Sequence, residues 1–342
     1  MAIIDLRSDT VTKPTREMRT AMFEAEVGDD GYGEDPTVKT LEELAARMTE
    51  KEAGLFVTSG TQGNQLAVMV HARMCDEVIC EATAHMLGSE TGGIAALTRA
   101  QPYPVAGDHG KLTPERIEPA IRKKKMNAPL TSLITVENTH NHAGGTYYTP
   151  AELAAIKKLA DQYALPVHMD GARIFNAAVA QKVAVAELAK SVDSMQMCLS
   201  KGLCAPIGSV LVGTSDFIAQ ARRYRRLLGG GMRQAGVIAA AGIVALETMV
   251  DRLDEDHQHA RKLGEAIAAT RLAVDLATVQ TNIVMVDVSP LGLTAARFLE
   301  LLGEHGIRAN EAGKHQIRLV THHDISSENI DYVIGIFARL AG

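Results

Sequence analysis

Two hydrophobic periods alternate along most of this chain. Leu41, Leu44, Ala45 and Met48 recur at helical spacing behind Asp35 and Pro36, an N-cap and a first-turn proline, so a helix is expected to about residue 51. Leu55-Phe56-Val57 then reads as a short buried strand, and 66–70 as a helix entered through a turn of small residues. The alternation continues, with strands expected at 78–80, 132–137, 166–169, 194–199 and 209–212. Helices are expected at about 15–25, 150–163, 229–248 and 250–269, and the glycine- and aspartate-rich stretch 27–36 reads as loop. Strands alternating with helices imply an α/β fold with a mostly parallel sheet. Past 250 the pattern changes: strands at 283–288 and 316–320 with helices at about 294–305 and 326–340 predict a small α+β domain. The expected division is an N-terminal arm at 1–9, a large domain at 10–249 and a small C-terminal domain at 250–342.

Composition narrows the partners. The chain has 342 residues, enough for two domains, and a net charge of −6, which argues against nucleic acid. The basic runs Lys123-Lys124-Lys125 and Arg222-Arg223-Tyr224-Arg225-Arg226 read as solvated helix faces. Four cysteines without CxxC spacing read as reduced thiols of a cytoplasmic protein, and no apolar run reaches the ~20 residues of a membrane span. A soluble protein with neither membrane nor nucleic-acid partner is expected.

Candidate chemistry gathers just past the carboxyl ends of predicted strands, where open α/β sheets bind ligands: His140, Asp170 and Lys201 all fall there. Lys201 lies in the short apolar run Cys198-Leu199-Ser200-Lys201-Gly202-Leu203. Desolvation favours a neutral amine, which can attack a carbonyl; a lysine snorkelling out of a loop is the plainer alternative. The turn Ser59-Gly60-Thr61 enters a helix, and free amides with the helix dipole favour an anion there; an ordinary capped turn would look the same. Asp170 alone could be an N-cap. Together the three point to pyridoxal phosphate: an amine for its aldehyde, a carboxylate for its pyridine nitrogen, and an anion site for its phosphate. A metal hydrolase built on His140, His142, His168 and Asp170 is a rival, but it leaves Lys201 and the phosphate turn unexplained. No metal site is expected, and a passive binding protein would make little use of a rim lysine, aspartate and arginine together.

The chain resembles the low-specificity L-threonine aldolases, of the aspartate-aminotransferase-like fold (fold type I) of pyridoxal phosphate enzymes. The resemblance rests on Asp5-Leu6-Arg7-Ser8-Asp9-Thr10, Gly28-Asp29-Asp30-Gly31-Tyr32-Gly33, Ser59-Gly60-Thr61, Glu137-Asn138-Thr139-His140-Asn141, Asp170-Gly171-Ala172-Arg173, Leu199-Ser200-Lys201-Gly202, Gly229-Gly230-Gly231-Met232-Arg233-Gln234 and Ile317-Arg318-Leu319-Val320-Thr321-His322. It implies cleavage of L-threonine, L-allo-threonine and similar β-hydroxy-α-amino acids to glycine and an aldehyde. In that reading Lys201 binds the cofactor covalently, Asp170 pairs with the pyridine nitrogen and Arg173 lies near the ring hydroxyl. Ser59, Gly60 and Thr61 hold the phosphate, and His85 stacks on the ring. Ser8 and Arg318 grip the substrate carboxylate, a task suited to a guanidinium. His85 and His140 are the candidate bases for the β-hydroxyl proton. The family further implies a homotetramer built from dimers, with Tyr32, Arg226 and Arg233 reaching the neighbouring subunit's site.

One departure concerns specificity. Relatives carry bulky aromatic residues around positions 87–89, where this chain has Leu87-Gly88-Ser89. If that loop lines the pocket, larger aldehydes, such as those from β-aryl serines, should be accepted, with Ser89 beside the substrate. A β-eliminating lyase or an aminotransferase of the same fold is the alternative, separable by its products.

Overall fold

The computed structural model describes residues 3–342. Its centre is a seven-stranded sheet in the order Ala53–Val57, Ser209–Gly213, Ser194–Cys198, Val167–Asp170, Leu130–Glu137, Asp76–Glu81, Gln101–Val105. Ser209–Gly213 runs against both its neighbours, and the remaining pairs are parallel. Both faces are covered. Phe56, Val210, Val212, Ile79 and Ile134 join one apolar core, while their neighbours along the same strands, Leu55, Val57, Leu211, Val78 and Leu133, join clusters on the other face. This two-sided burial is why these strands read as continuous apolar runs, not alternating ones.

The helices start where capping chemistry puts them. Asp35 accepts from the Val38 amide at 3.0 Å to open Pro36–Thr49, and Thr149 and Glu152 form a reciprocal capping box on Pro150–Gln162. Helix Gly60–His71 opens on Ser59, whose side chain accepts from the Gln62 amide at 3.1 Å. One strand of the central sheet escaped the hydrophobic pattern. Gln101–Val105 carries Pro102 and Pro104 and is the edge strand, where a missing N–H faces no partner.

The small domain is a three-stranded antiparallel sheet, Asn310–Gly313, Gln316–Val320 and Ile283–Asp287, packed with helices Leu253–Ala268, Ala295–Glu304 and Ser327–Ala341. The N-terminal segment is built into it: Ile4–Asp5 pairs with Ile307–Arg308, and Ile4 and Leu6 belong to its core. Leu253 packs in the large core and Ala260 in the small one, so helix Leu253–Ala268 passes from one domain to the other. The first two residues of the expected arm lie outside the described ones.

Candidate active site

Sheet register brings the chemistry together. Asp170 is the last residue of its strand, Gln196 is its register partner, and Lys201 follows three residues after Cys198. Asp170 is buried, and its carboxylate accepts from Gln196 Nε2 at 2.6 Å, Asn64 Nδ2 at 2.8 Å and the Ala172 amide at 3.1 Å. Burial alone would push its carboxyl up, but the nearby Lys201 and His85 charges and the Asn64 and Gln196 donors outweigh that and hold it below its ordinary value. The glycine turn lies against the same residues. A Cβ on Gly60 would sit 2.8 Å from Cys198 Sγ and 3.2 Å from the Gln196 amide, so only glycine fits. The amides of Gly60 and Thr61 are among those a helix start leaves free. Thr12 Oγ1 donates to the Lys201 carbonyl at 2.9 Å, tying the N-terminal segment to the lysine turn.

Arg173 is held differently from a simple rim residue. Its Nε and Nη2 each donate to Asp9 at 2.7 Å, and its Nη1 donates to Asn141 Oδ1 at 3.2 Å. Burial would push the Asp9 carboxyl up, but Arg173, with help from Lys201 and Asn282, holds it well below the carboxylate range. Asn141 Oδ1 also accepts from Arg318 Nη1 at 2.9 Å, so one side chain joins an arginine from each domain. Arg318 Nε is buried without a partner, a donor left over for an anion. Ser8, beside Asp9, caps the short helix Asp9–Val11 through the Thr10 amide.

The histidines separate by environment. His85 Nδ1 lies 3.1 Å from Glu90 Oε1, its backbone amide donates to Glu137 at 2.7 Å, and its side chain is 32% exposed. The Glu90 hydrogen bond raises its pKa despite partial burial. His140 is fully buried, with Nε2 3.1 Å from Glu81 Oε2 and Nδ1 unpartnered, and the backbone of Gly110 lies against its ring. It therefore does not stand open on the rim as its place in the sequence implied. Burial would lower its pKa, but Glu137 and Glu81 outweigh that and raise it. His142 is exposed, with Nε2 3.5 Å from Ser89 Oγ. Leu87 and Gly88 end the short helix His85–Gly88, not a loop, and a Cβ on Gly88 would meet nothing within 4 Å, so open space adjoins it.

The metal quartet does not converge. His168 is turned to Ser194 and Asn64, and His140 to Glu81. Among the described residues, the donor atoms of His85, Glu90 and Asp170 do lie within 4.8 Å of one another, but Asn64 Nδ2 already bridges the two carboxylates at 2.8 Å each. Tyr32 and Arg233 are exposed, and Arg233 donates to Asp29 at 3.0 Å within the Gly28–Gly33 stretch. Sequence reasoning missed Asp9, Asn64, Glu90, Asn141 and Gln196. Asp9 and Asn141 stood inside quoted motifs, and Gln196 was legible as the polar break in the apolar strand Ser194–Cys198.

The comparisons with known proteins agree with this geometry. The beta-eliminating lyase family model matches residues 5–290. The chain is 43% identical to low-specificity L-threonine aldolase 1 of Arabidopsis thaliana, covering 99% of this chain and 96% of that one. It is 41% identical to a low specificity L-threonine aldolase of Escherichia coli K12, covering 96% of each. A Leishmania major threonine aldolase shares the fold at TM-score 0.86 and 20% identity, over 99% of this chain and 100% of that one. A Sphingomonas wittichii serine palmitoyltransferase does so at 0.78 and 17%, over 98% and 86%.

The Glu81 environment makes a pH prediction. Burial would raise its carboxyl, but His140 and the Thr83 hydroxyl and amide outweigh that and hold it at about 2, against an ordinary 4.5. A carboxyl depressed in the folded state stabilises fully above its unfolded value and loses that contribution as pH falls through the folded one. Urea midpoints should therefore drop between about pH 4.5 and pH 2 more steeply in the native chain than in Glu81→Gln; equal slopes would refute the pairing.

Proposed function

We propose that this chain, which belongs to the beta-eliminating lyase family, is an aldehyde-lyase that cleaves L-threonine, L-allo-threonine and other L-β-hydroxy-α-amino acids to glycine and an aldehyde, and runs the reverse addition. The observation that carries it is the buried, ionised Asp170 beside Lys201 in a chain 41–43% identical to aldolases over nearly its whole length. The family's name allows elimination, but the relatives at 41–43% identity are aldolases, so elimination and transamination are not favoured.

The residues present fit pyridoxal phosphate. Lys201 would hold its aldehyde, Asp170 its ring nitrogen, and the turn Ser59-Gly60-Thr61 its phosphate; Arg173 would lie by the ring hydroxyl and His85 on the ring face. When bound, that group supplies the electron sink that drains charge from the substrate α-carbon. The chain's own residues do the rest. The spare Nε of Arg318, with Ser8, binds the substrate carboxylate and so turns the Cα–Cβ bond toward cleavage. A carboxylate at Nδ1 fixes the His85 tautomer, leaving Nε2 as the acceptor for the β-hydroxyl proton. His140, sealed on Glu81, positions Glu81 and Glu137 and does not meet substrate.

Tyr32 and Leu227, 77% and 72% exposed, together with Arg226 and Arg233, support a homotetramer of dimers in which these groups complete a neighbour's site. Free thiols at Cys75, Cys80, Cys198 and Cys204 support a cytoplasmic location. No described helix is long and apolar enough to cross a membrane.

Three measurements test this reading. Borohydride reduction with pyridoxal phosphate should place a covalent adduct on Lys201 by mass spectrometry, and Lys201→Ala should lose roughly a thousandfold or more of threonine cleavage to glycine and acetaldehyde. A base with a raised pKa works only once deprotonated, so kcat/KM should rise with pH through a midpoint above the ordinary histidine value of 6.5. Glu90→Gln should move that limb to lower pH; an unmoved limb would remove His85 from the role. Ser89→Tyr should reduce phenylserine turnover relative to threonine by about tenfold, in line with one pocket contact, and an unchanged ratio would reject the open-pocket argument.

A further inference from the structure

A line of polar side chains, buried except for the half-buried His71, runs away from Asp170 through the layer between the sheet and helix Gly60–His71. Helical geometry places Asn64 and His71, seven residues apart, on one face. Strand geometry places His168 and Asp170, two apart, on one face. Register sets Ser194 beside His168, just as it sets Gln196 beside Asp170. The resulting contacts are His71 Nε2 to Ser194 Oγ at 2.8 Å, Ser194 Oγ to His168 Nδ1 at 2.9 Å, and His168 Nε2 to Asn64 Oδ1 at 3.2 Å.

The direction of the bonds in this line follows from the placement of the Asn64 amide. Both hydrogens of Asn64 Nδ2 go to carboxylates, Asp170 and Glu90, so Asn64 Oδ1 is the acceptor. His168 Nε2 must then donate. Burial pushes His168 down to about 3, so the ring is neutral and its Nδ1 is a lone pair. Ser194 must give its hydroxyl hydrogen to that lone pair, which leaves its oxygen to accept from His71 Nε2. Burial pushes His71 down to about 4, so this ring is neutral too and carries its hydrogen on Nε2.

We propose that His168 is a positioning residue for the reaction: backed by Ser194 and His71, it locks the Asn64 amide in the one orientation that donates to Asp170, and so keeps that carboxylate aimed and ionised for the cofactor's ring nitrogen. This rests on the pyridoxal phosphate reading above. Reversing the Asn64 amide would turn an oxygen onto two carboxylates, and only a donor at His168 Nε2 selects against that reversal without itself touching the site.

The test has two arms. Nitrogen NMR of 15N-histidine-labelled protein, with and without pyridoxal phosphate, should show His168 and His71 both neutral and protonated on Nε2 at pH 7. A cationic ring or an Nδ1–H tautomer at His168 would overturn the chain of bonds. In the second arm, His168→Phe should weaken pyridoxal phosphate binding about tenfold and lower kcat with KM little changed, the size expected for one buried bond lost. His168→Gln, whose amide can still donate to Asn64 and accept from Ser194, should recover most of both. If His168→Phe only lowers the melting temperature while the cofactor dissociation constant and kcat stay as they were, His168 is merely structural. Failure of the native chain to take up pyridoxal phosphate would instead sink the functional reading, and the tautomers would still decide whether the bonds run as stated.

Discussion

The site depends on keeping one carboxylate charged where water cannot reach it. An isolated ionised carboxylate in a protein interior is costly enough that it normally takes up a proton. Asp170 escapes this because the Lys201 and His85 charges lie near it and three donors from three directions converge on it: a neighbouring strand through Gln196, a helix through Asn64, and its own following turn through Ala172. Each donor is fixed by main-chain structure. The register of Val167–Asp170 against Ser194–Cys198 cannot slip by one residue without sending Gln196 to the opposite face. The apolar packing of the sheet and the polarity of the site are thus one constraint.

A second ionic knot sets how the two domains meet. Asp9 binds Arg173 of the large domain and accepts from Asn282 of the small one at 3.2 Å, while Asn141 joins Arg173 to Arg318. The segment carrying Asp9 is anchored on one side by Ile4 and Leu6 in the small-domain core, and on the other by Thr12 on the Lys201 carbonyl. Breaking a buried pair of this kind strands its partner charge, so the knot acts as a positional clamp. Arg318 reaches the rim because the arm holds its domain there.

Much of this was legible in the chain, for reasons that also explain the rest. Lys201 and Asp170 stood out because charged residues that end apolar strands must face a rim, and the glycine turn stood out because strand, small residues and helix form a recurrent anion site. The parallel strands and capped helices followed from period and punctuation. Gln101–Val105 did not, since its two prolines argue against a strand until its edge position is known. His140 looked like a rim group because it follows a strand end, but the chain turns back through the His140–Thr146 bridge and buries it on Glu81. What Asp9, Asn64 and Gln196 bind was hidden, because a hydrophobic pattern records where polar residues interrupt an apolar run, not what they bind once inside.

The polar line at positions 71, 194, 168 and 64 shows what that hidden information is for. Fold stability alone would favour apolar side chains here, as Ala67 and Val68 show on the same helix. Hydrogen-bonded polar groups offset their own burial at best, and each is exacting, since removing one member orphans the next. Such a line is worth keeping only where direction matters, and its direction ends on Asp170. A carboxylate held charged in the core by the nearby Lys201 and His85 charges and by hydrogen-bond donors is placed to pair with a positive group on a bound ligand. The interior polarity of this fold is therefore already an argument for a ligand whose ring nitrogen carries a proton.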